Sequence, residues 1–483
     1  MAIRQIHQTL TKEITLEIQL ELGFATRSET SGEISYIPEG RFYYWSALLN
    51  EKLEFGEFSA WGVDAEERMR RRELIYQAID SLIATTLIAR RATSVALDAT
   101  AIKAYSRSFS QAELTAARER IRNGHSAALP HDPDASYGVK TNTSGGSERH
   151  TVFFGYFCHA LVRVPDKGQA PAIEPRLIES FSLVPADADC VEPSLDAIDR
   201  ALHHDPGISE ILVDREYSYR TPERWIYQLR EREIRQVADL HENDQGFRHY
   251  QGIKVAAGVP HCPATPDHLG HIRRPSPFAS AEEKANFRDQ IEERRPYAFR
   301  RVTSVDQAGR IRWECPAQAG SVGCPLQGVD VSTAREIGLP VVNADTSEHR
   351  PKCCTQRTVT IDVADSQPKL TQEDYWGSRA WELSYARRTY IEGVFGIMKN
   401  QALESVEKGY VRKTGLAFVT LAVGIAFVSY NLRTLRKWAS DHEPTIDHGL
   451  TAPDIGRTVF IEVALDRHDE PGDSSSESDS EAA

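Results

Sequence analysis

The chain has 483 residues, 40% of them hydrophobic and 26% charged, with a formal net charge of −13. That length provides for two or three domains with a large core, and the acidity excludes a uniformly basic nucleic-acid binder while leaving room for local positive surfaces. Seven cysteines, an odd number over so long a chain, argue against a disulfide framework, and the start Met1-Ala-Ile-Arg-Gln-Ile-His7 lacks the basic and apolar regions of a secretory signal, so a soluble cytoplasmic protein is expected.

Residues 1–90 read as an N-terminal helical region. Short polar and aromatic segments lead into an amphipathic helix over Glu66–Ile88, whose Ile75, Ala78, Ile79, Leu82 and Ile83 share a face. Arg68, Arg70, Arg71 and Arg72 cluster near its start and serve either as a solvated helix beginning or as a contact for a polyanion. No helix-turn-helix pattern is clear.

Residues 91–219 read as the first part of an α/β core. The run Ser94-Val-Ala-Leu97 ends on Asp98, the way a buried strand presents a carboxylate at its end. Ser110 with Glu113 forms a capping box for the helix that follows, and strands are expected near 137–164 and 176–184. Ile208-Ser-Glu-Ile-Leu-Val213 repeats the first pattern and delivers Asp214. Taken singly, each aspartate also reads as a helix cap or a loop hydrogen-bonding residue. Glu216, two residues on, shares the face of Asp214 if the strand continues, which makes it a supporting carboxylate.

Residues 220–370 are too many for one crossover and read as a β-rich insertion, with strands at Gly252–Ala256, Ile311–Trp313 and Thr358–Val363. Cys315 and Cys324 each precede proline, and Cys353 and Cys354 are adjacent. These four make a candidate structural Zn2+ site, set against reduced thiols in a small packed subdomain, since adjacent cysteines fit the usual Cys-x2-Cys knuckle poorly. His261 and Cys262 are further candidate ligands.

Residues 371–440 read as the second part of the core. Tyr385, Arg388, Glu392 and Lys399 stand at offsets 0, 3, 7 and 14, which on one helix places them within an arc of about 60°. Ile391, Val394, Phe395 and Met398 form the neighbouring apolar stripe that docks the helix. The stretch Thr414–Leu432 carries no charge and is long enough to span a membrane, but its polar residues and the basic residues at both ends favour a buried core helix. Residues 441–483 read as an extension with a disordered acidic tail, which holds seven acids against one base from Asp466 onward.

Two strand-borne aspartates and a helical glutamate can converge to hold two divalent cations about 4 Å apart, an arrangement suited to phosphodiester chemistry. At this point the chain resembles the DDE transposases of insertion sequences, in the subgroup marked by Tyr-x2-Arg-x3-Glu-x6-Lys, which Tyr385, Arg388, Glu392 and Lys399 match without a gap. Asp98 in Leu97-Asp98-Ala99-Thr100 and Asp214 in Val213-Asp214-Arg215-Glu216-Tyr217 correspond to the first and second catalytic aspartates. His131-Asp-Pro-Asp134-Ala135, Gly138-Val-Lys140 and Phe153–Phe157 resemble the region between them. The likeness runs from about residue 93 to 432, and Glu216 departs from it by standing where glycine is common.

The resemblance implies a ribonuclease-H-like α/β fold with a mixed sheet, interrupted by the β-rich insertion. It implies a transposase that cuts and joins DNA ends, with Asp98, Asp214 and Glu392 as catalytic residues holding two Mg2+ ions, Mn2+ being a substitute. Tyr385, Arg388 and Lys399 would grip phosphates and a displaced base, and the N-terminal region would recognise the ends. The partners implied are transposon-end DNA and target DNA, bound by a homodimer with no membrane involved. Residues 379–437 hold ten Lys or Arg against four Asp or Glu, so local potential there favours phosphate despite the acidic total. The rival readings are a nuclease of the same fold without strand transfer and a DNA-binding descendant without catalysis. No phosphate-cradling glycine loop is present, so nucleotide hydrolysis is not indicated.

Overall fold

The computed structural model describes residues 15–442 apart from 22, 88–92, 145–146, 171–173, 277, 304–309, 345–349, 363–371, 401–405, 407–411 and 413, together with His7, Thr11 and Lys12. The acidic tail expected at the C-terminus lies outside the described residues. In chain order the helices are α1 (Leu16–Glu21), α2 (Glu39–Leu53), α3 (Ala65–Ala84), α4 (Gln111–Arg122), α5 (Val191–His204), α6 (Ile226–Glu231), α7 (Ala281–Arg294), α8 (Val331–Glu336), α9 (Arg379–Ala386), α10 (Thr389–Met398) and α11 (Leu416–His442). The strands are β1 (Ala25–Arg27), β2 (Ile34–Tyr36), β3 (Ser94–Lys103), β4 (Ser136–Ser144), β5 (Ser147–Val164), β6 (Ile178–Pro185), β7 (Glu210–Val213), β8 (Arg235–Ala238), β9 (Arg248–Tyr250), β10 (Ile253–Ala256), β11 (Val259–His261), β12 (Arg300–Arg301), β13 (Arg310–Glu314) and β14 (Thr358–Asp362).

Six strands make one mixed sheet in the order β4-β5-β3-β7-β8, with β6 on β5. β5 is antiparallel to β3, β4 and β6, whereas β3, β7 and β8 run parallel. Short apolar runs buried on both faces suit the parallel centre. Alternation along β3 sends Val95 and Leu97 to one face, with Ile211, Val213 and the apolar sides of α5 and α6. Ala96 faces the other way, with Leu212, α3, α10 and α11. The result is a three-layer α/β arrangement. β8 lies beyond the core boundary expected at residue 219, because Arg235–Ala238 adds to β7 as the parallel outer strand.

The capping box at the start of α4 forms as read: Ser110 Oγ accepts from the Glu113 N–H, and the Glu113 carboxylate accepts from the Ser110 N–H. The buried face of α3 differs from expectation. Ile75, Ile79 and Ile83 are buried, but Ala78 and Leu82 turn outward and Tyr76 and Asp80 take their places. Both replacements are polar groups with distant partners: the Tyr76 hydroxyl accepts from the Leu183 N–H at 2.9 Å, and Asp80 pairs with Arg200 at 3.0 Å. The arginines at the start of α3 are also engaged, Arg70 and Arg71 with Glu67 and Arg72 with Asp196.

α11 is long and apolar enough to cross a membrane, with mean hydropathy 1.6, and 56% of that window is buried in the protein. It crosses α3 closely, since a Cβ on Gly424 would lie 2.7 Å from Ile79 Cγ2. Phe427 meets Phe181 edge-on at 4.9 Å, and full burial of such a side chain contributes about 1.5–3 kcal/mol. The Asn431 amide accepts from the Ile178 N–H at 2.8 Å and donates to Ile178 O at 2.9 Å and to Thr86 Oγ1 at 2.8 Å. The helix is thereby fixed to the first residue of β6.

Between β8 and α9 the chain builds two three-stranded antiparallel sheets, β11-β10-β9 and β12-β13-β14, with α7 and α8. A small core of Ile253, Phe299, Ile311, Trp313, Val359 and Ile361 lies there.

Candidate active site

The two aspartates are brought level by strand register. β3 and β7 pair as Ser94↔Glu210, Val95↔Ile211 and Ala96↔Leu212, and two further residues along each strand set Asp98 beside Asp214. β3 does not end at Asp98, as the sequence suggested, but continues to Lys103 because β5 pairs with it throughout, from Ser94↔Val164 to Lys103↔Gly155. β7 stops at Val213. Beyond that point, among the described residues, β3 has no strand partner on the β7 side, which is where Asp98 stands.

Asp214 itself turns the chain. Its Oδ1 accepts from the Glu216 N–H at 2.8 Å and caps the 3-10 helix Arg215–Tyr219. Glu216 is therefore in a helical turn rather than on the strand, and its carboxylate pairs with Arg220 at 3.1 Å. Glu216 thus reaches Asp214 through its N–H and through the charge of its carboxylate, not by sharing a strand face with it.

Tyr385, Arg388, Glu392 and Lys399 do not share one helix: α9 ends at Ala386 and α10 begins at Thr389. Arg387 and Arg388 stay right-handed, with φ −60° and −57°. Their hydrogen bonds tighten to i→i−3, from Arg387 N to Ser384 O at 3.3 Å and from Arg388 N to Tyr385 O at 3.0 Å. At this turn the buried Arg387 guanidinium donates to Glu210 Oε1 at 2.6 Å, to Ser94 Oγ at 3.1 Å and to Pro165 O at 3.0 Å. Sequence reasoning passed over Arg387, although it lies inside the motif.

The tightened turn directs Arg388 to the carboxylates. Its Nη1 lies 3.4 Å from Asp98 Oδ2, and its Nη2 donates to Glu392 Oε1, so one cation bridges a strand and a helix. Its Nε is buried without a hydrogen-bond partner. Burial opposes the cation, but Tyr385, Asp98, Glu392 and Asp214 outweigh it and raise the Arg388 pKa. The Asp98 side chain is 24% exposed. Burial pushes its pKa up to about 7; Arg388 opposes this, and the charges of Asp214 and Glu392 add to it. Burial also raises Asp214, against the Glu216 N–H and with the Glu216 charge. Arg388 thus acts on all three carboxylates, pairing with Asp98 and Glu392 and lowering Asp214 through its charge.

Tyr385 stacks on Trp381 with ring centroids 4.9 Å apart and planes 8° from parallel. The Arg274 guanidinium covers the pair, 5.0 Å from Trp381 and 5.3 Å from Tyr385, and Asp239 holds it at 2.7 Å. Burial pushes the Tyr385 hydroxyl up to about 12. No local pattern signals Arg274, which comes from the segment between β8 and α9. Lys399 closes α10 as its C-cap, where its charge acts on Cys158, the residue of β5 opposite Thr100.

Among the described residues, no three His, Cys, Asp or Glu side chains already stand as a metal-binding group. In the triad, Arg388 occupies the place between Asp98 and Glu392. The donor set nevertheless fits divalent magnesium: burial raises Asp98, the charges of Asp214 and Glu392 add to it, and a divalent cation would favour the ionised form against both. Cys315, Cys324, Cys353 and Cys354 are brought together in a separate place, around one cavity that Cys262 also lines. Compared with known proteins, the chain matches no family model and no curated protein.

Proposed function

We propose that this protein is a DNA transposase of the DDE type, with Asp98, Asp214 and Glu392 as its catalytic carboxylates. The observation that carries the reading is the register-matched pair Asp98 and Asp214 joined to Glu392 through Arg388. The strand order supports it. Numbering β3, β5, β6, β7 and β8 one to five, the order across the sheet is three-two-one-four-five with only strand two reversed, the ribonuclease-H-like pattern. In this reading the chain after β8 is an insertion, α9 and α10 return to complete the core, and residues 1–90 recognise DNA ends.

The carboxylates would hold two Mg2+ ions, or Mn2+ in their place, which when bound supply activation of the attacking oxygen and stabilisation of the leaving oxygen. Asp98 would hold a metal ion only as the carboxylate, a form that its raised pKa makes pH-dependent. Arg388 exchanges the carboxylates for the phosphate, with its unpartnered Nε as a ready further donor. Tyr385, held flat against Trp381, presents an aromatic edge and a hydroxyl to a base displaced at the cut. Lys399 adds positive charge at the end of α10. The substrates are transposon-end DNA and target DNA, two ends being held by a homodimer in the cytoplasm.

The test is a strand-transfer assay with purified protein, Mg2+ and labelled ends of the flanking element, comparing wild type with Glu392→Gln. Joined product from wild type alone supports the reading. Cleavage without joining in wild type favours a nuclease of the same fold, and binding without cleavage favours a DNA-binding descendant.

A further inference from the structure

Three cysteines of this segment each precede proline, in the turns Cys262-Pro263, Cys315-Pro316 and Cys324-Pro325. In the third the Leu326 N–H lies 3.4 Å from Cys324 Sγ. Burial raises the Cys262 and Cys315 thiols above their usual range, and neighbouring backbone N–H groups oppose it at both. Buried thiols are costly to ionise unless a cation accompanies them.

The three turns come from separate elements: Cys262 follows β11, Cys315 follows β13, and Cys324 lies nine residues further on. They meet at one cavity of about 160 Å³, which Cys353 and Cys354 also line from the turn before β14. Cys315, Cys354 and Cys324 all act electrostatically on Cys262. Cys353 is buried inside the apolar cluster with Phe299, Ile311 and Trp313, whereas Cys354 packs against that cluster from outside and is only partly buried, which makes it the more mobile of the two thiols toward a shared ion.

We propose that Cys262, Cys315, Cys324 and Cys354 bind one Zn2+ ion that joins the β9–β11 sheet to the β12–β14 sheet. The four thiols stand around the cavity rather than at coordinating distance, so binding draws them inward to Zn–S distances of about 2.3 Å. Each ligand releases one proton to solvent, giving a four-thiolate complex with no change of oxidation state. A metal linking positions 92 residues apart would add cohesion between the two small sheets to that of the apolar core they share. This inference is independent of the catalytic reading.

The test uses the full chain. Wild type purified without chelator is expected to carry one zinc per chain. Replacement by Co2+ is expected to give tetrahedral d–d bands and a thiolate-to-cobalt charge-transfer band. C262S, C315S, C324S and C354S should each weaken that band, whereas C353S and E392Q should keep one metal per chain. A wild-type protein that holds no zinc, takes up no Co2+ and alkylates its thiols equally with and without added Zn2+ would overturn the proposal. Retention by C354S with loss by C353S would overturn the choice of fourth ligand.

Discussion

Arg387 and Arg388 are adjacent in sequence and serve opposite ends of the same strand pair. Arg387 is buried against Glu210 and Ser94, at the start of β7 and β3. Arg388 reaches Asp98, four residues along β3, which is about 13 Å at strand rise. One arginine fixes the α9–α10 turn to the sheet and the other presents that turn to the carboxylates.

Arg387→Ala is expected to destabilise the protein by about 3–5 kcal/mol, because it leaves Glu210 buried and unpaired. Urea unfolding followed by circular dichroism measures this. An unchanged midpoint would remove Arg387 from its anchoring role.

Asp98 makes stability pH-dependent in a defined direction. Its folded pKa, about 7, lies above the unfolded carboxylate value, so the folded state binds more protons between them. Stability is fully present below about pH 4 and is lost as pH rises through about 7. Asp98→Asn should therefore raise the Tm at pH 8 in chelator and leave it nearly unchanged at pH 4. Equal effects at both pH values would contradict the assignment.

Tyr385→Ala should weaken DNA-end processing, because it removes both the ring edge and the hydroxyl offered to the displaced base and leaves Trp381 without its stacking partner. Tyr385→Phe keeps the ring on Trp381 and should lose less. Single-turnover cleavage of end DNA by both variants reads this difference; equal losses would shift the role from the ring to the hydroxyl.

Gly424→Ala should destabilise despite its better helix propensity, worth about 1 kcal/mol. The new Cβ meets Ile79 Cγ2 at 2.7 Å, and overpacking costs about 1–3 kcal/mol. In thermal melts the double variant with Ile79→Ala should be more stable than the sum of the two single effects predicts, because the added methyl occupies part of the vacated space. Strict additivity would show that α3 and α11 do not press on each other there.

Local signals were legible in the chain and long-range partners were not. The Ser110–Glu113 box needs only four residues to form, and the strands delivering Asp98 and Asp214 announce themselves by short apolar runs. The helix break falls at Arg387, whose buried partner Glu210 is 177 residues away, and helical spacing alone, blind to that partner, predicted an uninterrupted helix. Tyr76 and Asp80 entered the buried face of α3 because Leu183 and Arg200 waited there. Cys262 reads from the sequence as a further candidate ligand, but its place at the cavity of the other cysteines is set by sheets distant in sequence.

The amide of Asn431 has a consequence for how the chain is made. β6 is the outer strand beside β5, and Asn431 occupies the free N–H and C=O of Ile178 as a further strand would. An unpaired outer strand invites addition of another chain. During synthesis the six strands of the main sheet leave the ribosome roughly 190 residues before Asn431 does. Throughout that interval Ile178 lacks its blocking amide, and chains truncated ahead of residue 431 would be prone to pair edge to edge.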